Sequence, residues 1–108
     1  MFPKGGMGKL MKQAQEMQSK MAQAQEEVKL LEEEVTSGGG LIKIGVNGSK
    51  ELTSISIKSE VLEEDKEVIE DLVLVAVNQA LTSISKKIED KMNAATGGMI
   101  GKTGFPGL

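Results

Sequence analysis

The side chains in this chain that could perform chemistry are carboxylates and lysines. The sequence contains no histidine and no cysteine, so it lacks a thiolate nucleophile, an imidazole base and the ligands that structural zinc prefers. The carboxylates occur in clusters such as EEEV, LEEDKE and IED, a pattern typical of solvated helix faces rather than of a paired acid–base site. The sequence therefore predicts a protein that is not an enzyme, with no catalytic residue, metal site, cofactor or small-molecule substrate.

Two short stretches resemble part of a phosphate-binding loop, but neither completes the pattern. In GGMIGKT, Thr96 stands where the pattern needs glycine, and no strand is expected before it. In KGGMGKL, Leu10 replaces the Ser or Thr that would hold magnesium. We therefore predict no nucleotide site.

Lysines have a different chemical use, because an ammonium group can contact phosphate. Residues 1–25 hold four lysines and one glutamate, whereas residues 26–37 hold five glutamates and one lysine. Residues 61–71 are again acidic, and residues 72–108 carry four lysines against two acids. The net charge is −3, but positive charge is concentrated towards both ends of the chain.

The first element that positions these lysines is a long amphipathic helix. Apolar residues recur at alternating steps of four and three between Leu10 and Val35, as at the inner positions of a heptad repeat. The stretch from about Lys9 to about Glu33 contains no glycine or proline and is rich in helix formers. It predicts a helix that is ended by the glycines of TSGGG.

A small antiparallel sheet is expected next. Ile42, Ile44 and Val46 alternate with other residues, and a second alternating run follows at residues 53–58. Asn47-Gly48 between the two runs is the strongest short hairpin signal. Two strands alone are marginal in water, so a third strand is expected, from Glu34 to Ser37 or from a second chain.

A second long helix follows the hairpin, with Ser59 or Asp65 as its N-cap. Its segment LVLVAV is apolar all round, which predicts that this turn is covered on every side. The fold class is therefore α+β, in one domain spanning residues 1–108, with flexible tails at 1–8 and 96–108. The residues expected in the core or in a dimer interface are Ile42, Ile44, Ile55, Ile57, Leu72, Val73 and Val77.

The surplus of apolar residues and the open edge of so small a sheet favour a homodimer over a monomer. A helix entering the hairpin and a helix leaving it place both chain ends far from the sheet, so their lysines are expected to lie together. A local positive surface attracts polyanions even when the net charge is negative. Nucleic acid is then a candidate partner, although lysines that merely solvate a helix face explain the charge pattern equally well.

The composition also limits the ways in which this chain could recognise a nucleic acid. All thirteen basic residues are lysines, so bidentate arginine contacts to guanine are absent. The two aromatic residues, Phe2 and Phe105, lie near the chain ends, which disfavours stacking on unpaired bases. The remaining mode is contact with the backbone of double-stranded DNA, helped by glutamines such as Gln13.

Several segments, in order, resemble the YbaB/EbfC family of bacterial nucleoid-associated proteins. They are KGGMGKLMKQAQEMQSKM, QEE, GGGLIKI with the NG turn, LEEDKEVIEDLV, VNQA and the tail rich in Gly and Pro. The resemblance implies an intertwined homodimer with an α-β-β-β-α core, whose projecting helical arms grip double-stranded DNA. Family members often carry arginine on the second hairpin strand and early in the last arm, where this chain has KELTSISI and LTSISKK.

The matching arm positions, together with the lysine-rich start of the chain, give the expected DNA-binding residues. They are Lys4, Lys9, Lys12, Gln13, Lys20, Lys86, Lys87 and Lys91. The expected location is the cytoplasm and nucleoid, since no signal peptide is found and no apolar run approaches the ~20 residues that span a bilayer. The alternative function is a structural or chaperone-like adaptor that grips protein segments between methionine-lined arms, because methionine adapts to varied partners.

Overall fold

A computed structural model describes residues 4–97 of the chain, with side chains from residue 7 onward. Two long helices flank a three-stranded antiparallel sheet, which confirms the α+β class. Of the expected tails at 1–8 and 96–108, residues 1–3 and 98–108 lie outside the described residues, whereas residues 4–8 are helical and Thr96 and Gly97 form a turn. The elements, in order, are α1 (Lys4–Lys29), β1 (Glu32–Ser37), β2 (Ile42–Asn47), β3 (Leu52–Ile57), a 3₁₀ helix (Ser59–Glu63) and α2 (Lys66–Ala95).

The chain divides into two compact units. The first contains Met1–Glu27 together with Glu89–Leu108, and the second contains Val28–Ile88. The first unit therefore pairs most of α1 with the last turns of α2, and the second contains the sheet with the larger part of α2.

Both ends of α1 differ from the expected Lys9–Glu33. The helix begins at Lys4, so Gly5, Gly6 and Gly8 are helical, although glycine costs about 0.5–1 kcal/mol per residue in a helix relative to alanine. It ends at Lys29, and Glu32 and Glu33 belong to β1 instead. The helix propensity of glutamate is worth only tenths of a kcal/mol relative to strand-forming residues, so pairing with β2 outweighs it.

The sheet has the order β1-β2-β3, with both neighbouring pairs antiparallel. The third strand expected at Glu34–Ser37 exists in this chain and starts two residues earlier, at Glu32. The glycines of TSGGG do not terminate a helix as expected. They form the turn between β1 and β2, where Gly38, Gly39 and Gly40 all have positive φ.

The hairpin expected at Asn47-Gly48 is confirmed, and the side chain of Asn47 stabilises its turn by hydrogen bonds. Asn47 Oδ1 accepts hydrogen bonds from the backbone N–H groups of Ser49 (2.9 Å) and Glu51 (3.1 Å). The residue with positive φ in this turn is Lys50, at 60°. The Gly48 N–H donates to the Leu31 carbonyl at 2.9 Å, which ties the turn to the start of β1.

A β-bulge in β3 decides which of its side chains share a face. Gly45 pairs with Ser54 and Val46 pairs with Leu52, so Thr53 is an extra residue. A Cβ at position 45 would overlap the hydroxyls of both Ser54 and Thr53, and only glycine leaves room for them. The extra residue keeps Leu52 on the same face as Ile55 and Ile57, although Leu52 and Ile55 are three positions apart.

The core of the second unit lies between β2 and α2. Ile42, Ile44 and Val46 are buried on the sheet side. The α2 side is formed by small and branched residues one turn apart, Ala76, Ala80 and Ile84, which are fully buried. Other apolar side chains are partly buried against this cluster, among them Leu72, Val73, Val77, Leu31, Val35 and Ile88.

Two groups of apolar residues that were expected to be covered, by the core or by a dimer partner, are exposed in the single chain. Ile55 and Ile57 are 52% and 36% exposed, because α2 covers the inner face of β2 but leaves that of β3 open. The LVLVAV turn is not covered on every side, since Leu74 and Val75 are 59% and 40% exposed.

The expectation that no segment is apolar enough to span a bilayer does not hold for α2. Among the described residues, this one helix is long and apolar enough to cross a membrane by length and composition alone, since an 18-residue stretch of it has a mean hydropathy of 1.4. Its Ala76, Ala80 and Ile84 pack on the sheet, as in the core helix of a folded domain.

Candidate nucleic-acid interface

In the first unit, α1 and the end of α2 pack against each other. Glu27 and Lys91 form an ion pair at 3.3 Å, and Ala24 is buried. Because Glu27 meets Lys91 while Ala24 lies by Ala94 and Ala95, the two helices run antiparallel. An open cleft of about 280 Å³ between them is lined by Lys20, Gln23, Ala24, Glu27, Lys91, Ala94 and Ala95.

Lysines form one face of α1, which we call the lysine face: Lys9, Lys12 and Lys20. All three are exposed, and none has a carboxylate partner among residues 4–97. Spacings of three and eight residues place them along one side of a helix with 3.6 residues per turn. Gln13 is also exposed, on the adjoining side of α1, and the side chain of Lys4 lies outside the described residues.

Glu16 interrupts the lysine face, a feature the sequence analysis missed. It is four residues after Lys12 and four before Lys20, so it lies one turn from each. Glu16 is exposed and forms no ion pair within the described part of the chain. The signal was present in the sequence, because the spacing of four could be read directly from KQAQEMQSK.

The lysines of α2 are in different settings. Lys91 belongs to the first unit and shares the cleft with Lys20, but Glu27 partly neutralises its charge. Lys86 and Lys87 are exposed residues of the second unit. The structure therefore brings Lys20 and Lys91 together, while the sequence analysis had treated all the lysines as equally available and missed Glu27.

The second unit exposes a row of apolar side chains on the inner face of β3, which we call the β3 row: Leu52, Ile55 and Ile57. Leu52 is 44% exposed. Ile55 lies opposite Ile44 and Ile57 opposite Ile42, so the row continues the face that α2 buries on β2. Among the described residues no element covers this row, whose side chains are 36–52% exposed.

Glu33 places a carboxylate on the same inner face of the sheet, because it pairs with Val46. The Ser83 hydroxyl donates a hydrogen bond to Glu33 Oε1 at 2.8 Å. Glu33 Oε2 is buried and has no hydrogen-bond partner in the described structure. Ser83 also lines an open groove on α2 of about 390 Å³, together with Val75, Asn78, Gln79 and Thr82.

The charged side chains of the described residues include a surface that can bind anions. Among the residues that the structure describes, no group of three or more acidic side chains could hold a metal ion. The prominent charged feature is instead a helix face of lysines in contact with solvent. Such a face attracts phosphates or other anions.

Comparison with known structures first places the fold. The chain is similar to the crystal structure of uncharacterized protein HP0035 from Helicobacter pylori, with a TM-score of 0.60 and 24% sequence identity. The match covers 83% of this chain and 92% of that one. This similarity supports the fold, in which one long helix precedes and another follows a three-stranded sheet along the chain.

Comparison with family models then identifies the class of protein. The model of the YbaB/EbfC DNA-binding family matches residues 4–99, which is nearly the whole chain. The chain belongs to the YbaB/EbfC DNA-binding family. It is therefore a nucleoid-associated DNA-binding protein, in a family defined by binding rather than by a reaction, and the resemblance read from the sequence is confirmed.

Proposed function

We propose that this protein binds double-stranded DNA as a homodimer, through lysines on its helices and with little or modest sequence specificity. The observation that carries the proposal is the lysine face of α1, whose exposed ammonium groups have no carboxylate partner within residues 4–97. Lys4, Gln13, Lys86, Lys87 and Lys91 are proposed as further contacts. The site of action is the cytoplasmic nucleoid.

The chemistry of these side chains favours contact with the DNA backbone. A lysine ammonium group is a compact charge that attracts phosphate without reading the identity of a base. The chain contains no arginine, so the bidentate pairing that selects guanine is absent. Binding through phosphates is largely independent of sequence.

Two features of the second unit support a homodimer. The β3 row is exposed although its cross-strand partners are fully buried. In addition, only 17% of the most apolar 18-residue stretch of α2 is buried within the single chain. Contiguous exposed apolar surface of this kind marks interaction sites, and we propose that a second copy covers it.

Gel retardation of several unrelated duplex fragments across a salt series tests the proposal. We expect similar affinities for all fragments and a steep loss of binding with salt, with a log–log slope of about −0.9 per phosphate contacted. The variant with Lys12, Lys20, Lys86 and Lys87 replaced by Gln should bind more weakly while its circular dichroism spectrum stays unchanged. Affinity that is independent of salt, or unaltered in this variant, would remove the lysine mechanism.

A second candidate function is an adaptor that holds protein segments, which the exposure of Met7, Met11 and Met17 on α1 favours. A pull-down from cell extract separates the two candidates. Partners that remain bound after nuclease treatment support the adaptor. Partners that are lost with the nucleic acid support the DNA-binding proposal.

A further inference from the structure

The first strand, β1, is an edge of the sheet, with β2 on one side and no further strand on the other among residues 4–97. The Gly48 N–H donates to the Leu31 carbonyl at 2.9 Å, and antiparallel strands exchange such bonds at every second residue. Alternate residues counted from Leu31 therefore bond to β2. The residues between them, Glu32, Glu34 and Thr36, turn their backbone N–H and C=O groups to the free edge.

The helix α2 lies along this strand. Near the start of β1, the Ser83 hydroxyl donates to Glu33. Just after the end of β1, Leu72 Cδ2 lies 3.3 Å from the position that a Cβ on Gly38 would occupy. These two contacts are eleven positions apart on α2 and five apart on the strand, and both separations span about 16–17 Å. The helix therefore runs antiparallel to β1 and beside its whole length.

The groove on α2 lies past β1, over the free edge. Its volume is about 390 Å³, and its lining residues are Val75, Asn78, Gln79, Thr82 and Ser83. Ala80 packs on the buried residues of β2, and Ser83, which reaches β1, is about 60° around the helix from it. Gln79 and Thr82 are about 40° and 100° farther round in the same direction. The groove therefore runs beside the unpaired backbone groups of β1.

A carboxylate oxygen next to this groove lacks a hydrogen-bond donor. Glu33 Oε1 accepts from Ser83, but Glu33 Oε2 is buried without a partner in the described structure. Buried polar atoms in proteins are nearly always hydrogen-bonded. Ser83 uses its single O–H on Glu33, so towards the groove its oxygen can only accept. The groove therefore favours a ligand that brings hydrogen-bond donors.

Charge on β1 restricts which strand could pair with its free edge. Glu32 and Glu34 are exposed on the outer face of the sheet. Opposite charges on neighbouring strands stabilise the pairing, and like charges directly opposite destabilise it. A second copy of β1 would bring glutamates towards glutamates, whereas a strand that carries lysines would complement them. The other edge strand, β3, has no acidic residue.

We propose that an extended segment of a partner protein, with lysine at alternate positions, adds to the sheet as a fourth strand antiparallel to β1. Addition of a strand to an open sheet edge is a common mode of peptide recognition. The lysines lie opposite Glu32 and Glu34, and the side chains between them enter the groove on α2. Small side chains with a hydroxyl, such as threonine, fit this lining and donate to Glu33 Oε2. The surface lies within the second unit, and the proposal does not depend on DNA binding.

Peptides of alternating lysine and threonine test the pairing with the full natural chain. Two capped, fluorescent octapeptides have the same composition, but one is N-methylated at every lysine and the other at every threonine. In the proposed pairing the lysine N–H groups face β1 and the threonine N–H groups face away. By anisotropy at about 0.15 M salt, the peptide methylated at lysine should bind at least about tenfold more weakly than the other. Equal affinities, the reverse order or no binding of either peptide would overturn the proposal.

Charge variants of the protein test the selection of lysine. Glu32→Gln with Glu34→Gln should weaken binding of the unmethylated peptide at least about tenfold. The matched control is Glu60→Gln with Glu63→Gln, which makes the same charge change in the exposed 3₁₀ helix and should alter affinity less than about twofold. Circular dichroism verifies that both variants fold. Equal losses in the two variants would show that only net charge matters and would overturn the proposal.

Amide hydrogen exchange locates the bound peptide on the natural chain. Saturation with the unmethylated peptide should slow exchange at Glu34 and Thr36, whose N–H groups face the free edge of β1. The corresponding N–H groups on the free edge of β3 are those of Ile55 and Ile57, because Lys58 N–H donates to the Leu41 carbonyl and such bonds recur at every second residue. Protection at Ile55 and Ile57 instead would place the peptide on β3 and overturn the proposal.

Discussion

Ile44 and Ile55 lie directly opposite each other on neighbouring strands and on the same face of the sheet, yet their surroundings differ completely. Ile44 is 0% exposed and Ile55 is 52% exposed. The side chains are identical, so the difference comes from α2, which covers β2 and not β3. The burial of a strand residue therefore depends on the layer above it, which its own alternation does not encode.

The lysines show the same contrast in the first unit. Lys91 is held by Glu27 at 3.3 Å, whereas Lys12 has no carboxylate partner within the described residues. An ion pair in partly exposed surroundings contributes little to stability, but it reduces the charge that a ligand meets. Two lysines of equal formal charge can thus differ in how strongly they attract an anionic partner.

The largest expected effect concerns the two isoleucines. Ile44→Ala should lower the free energy of unfolding by about 2–5 kcal/mol, because it leaves a cavity in the core. Ile55→Ala should cost less than about half as much, since its side chain contacts solvent in the single chain. Urea denaturation of both variants at low protein concentration measures the difference, and equal losses would show that the two sites are equally buried.

The next effect concerns the proposed dimer. Ile55→Asp should weaken self-association at least about a hundredfold, or roughly 2.7 kcal/mol, because a carboxylate would be buried without a partner. The control is Ser56→Asp, on the opposite face of the same strand. Analytical ultracentrifugation measures both dissociation constants. Identical association of the two variants would place the dimer interface away from the β3 row.

The contrast between the lysines predicts a smaller effect on DNA binding. Lys12→Gln should reduce the magnitude of the log–log salt slope by about 0.9, as expected for the loss of one phosphate contact. Lys91→Gln should reduce it by less, because Glu27 already engages that ammonium group. Fluorescence anisotropy with one duplex over a salt series measures both slopes. A larger change for Lys91→Gln would show that Lys91, rather than Lys12, makes the stronger phosphate contact.

The smallest effect is a gain of function. Glu16→Gln should tighten DNA binding a few-fold at low salt, because it removes a negative charge from the middle of the lysine face, and screening should erase the gain near 1 M salt. Glu67→Gln makes the same charge change in the acidic first turn of α2 and serves as the control. An equal gain in both variants would mean that only net charge matters.

Much of the fold could be predicted because local patterns agree with it. Alternation at Ile42, Ile44 and Val46 marked a half-buried strand, and Asn47-Gly48 marked its turn. The predicted start of β1, at Glu34, lies two residues after the observed start at Glu32. Glu32 and Glu33 favour a helix, but pairing with β2 outweighs that preference. No local sequence pattern marks the bulge at Thr53, since the bulge depends on the space that Gly45, on the neighbouring strand, leaves for the hydroxyls of Thr53 and Ser54.

The candidate site was less predictable than the fold. Helical spacing could place Lys9, Lys12 and Lys20 on one face, because they lie on a single element. The pairing of Glu27 with Lys91 joins residues 64 positions apart, and no local pattern encodes such a contact. Long-range neighbours decide which charges are available, so the list of lysines was easier to derive than their relative importance.

The unpaired Thr53 has a consequence for how this strand can change. Removing one residue between Leu52 and Ile55 would place them two positions apart, so a regular strand without the bulge would still hold Leu52, Ile55 and Ile57 on one side. Straightening the strand at its present length would instead turn Leu52 outward and split the three apolar groups between two surfaces. The number of residues in this short stretch and its irregular pairing are therefore matched, and a change in one is tolerated only with a change in the other.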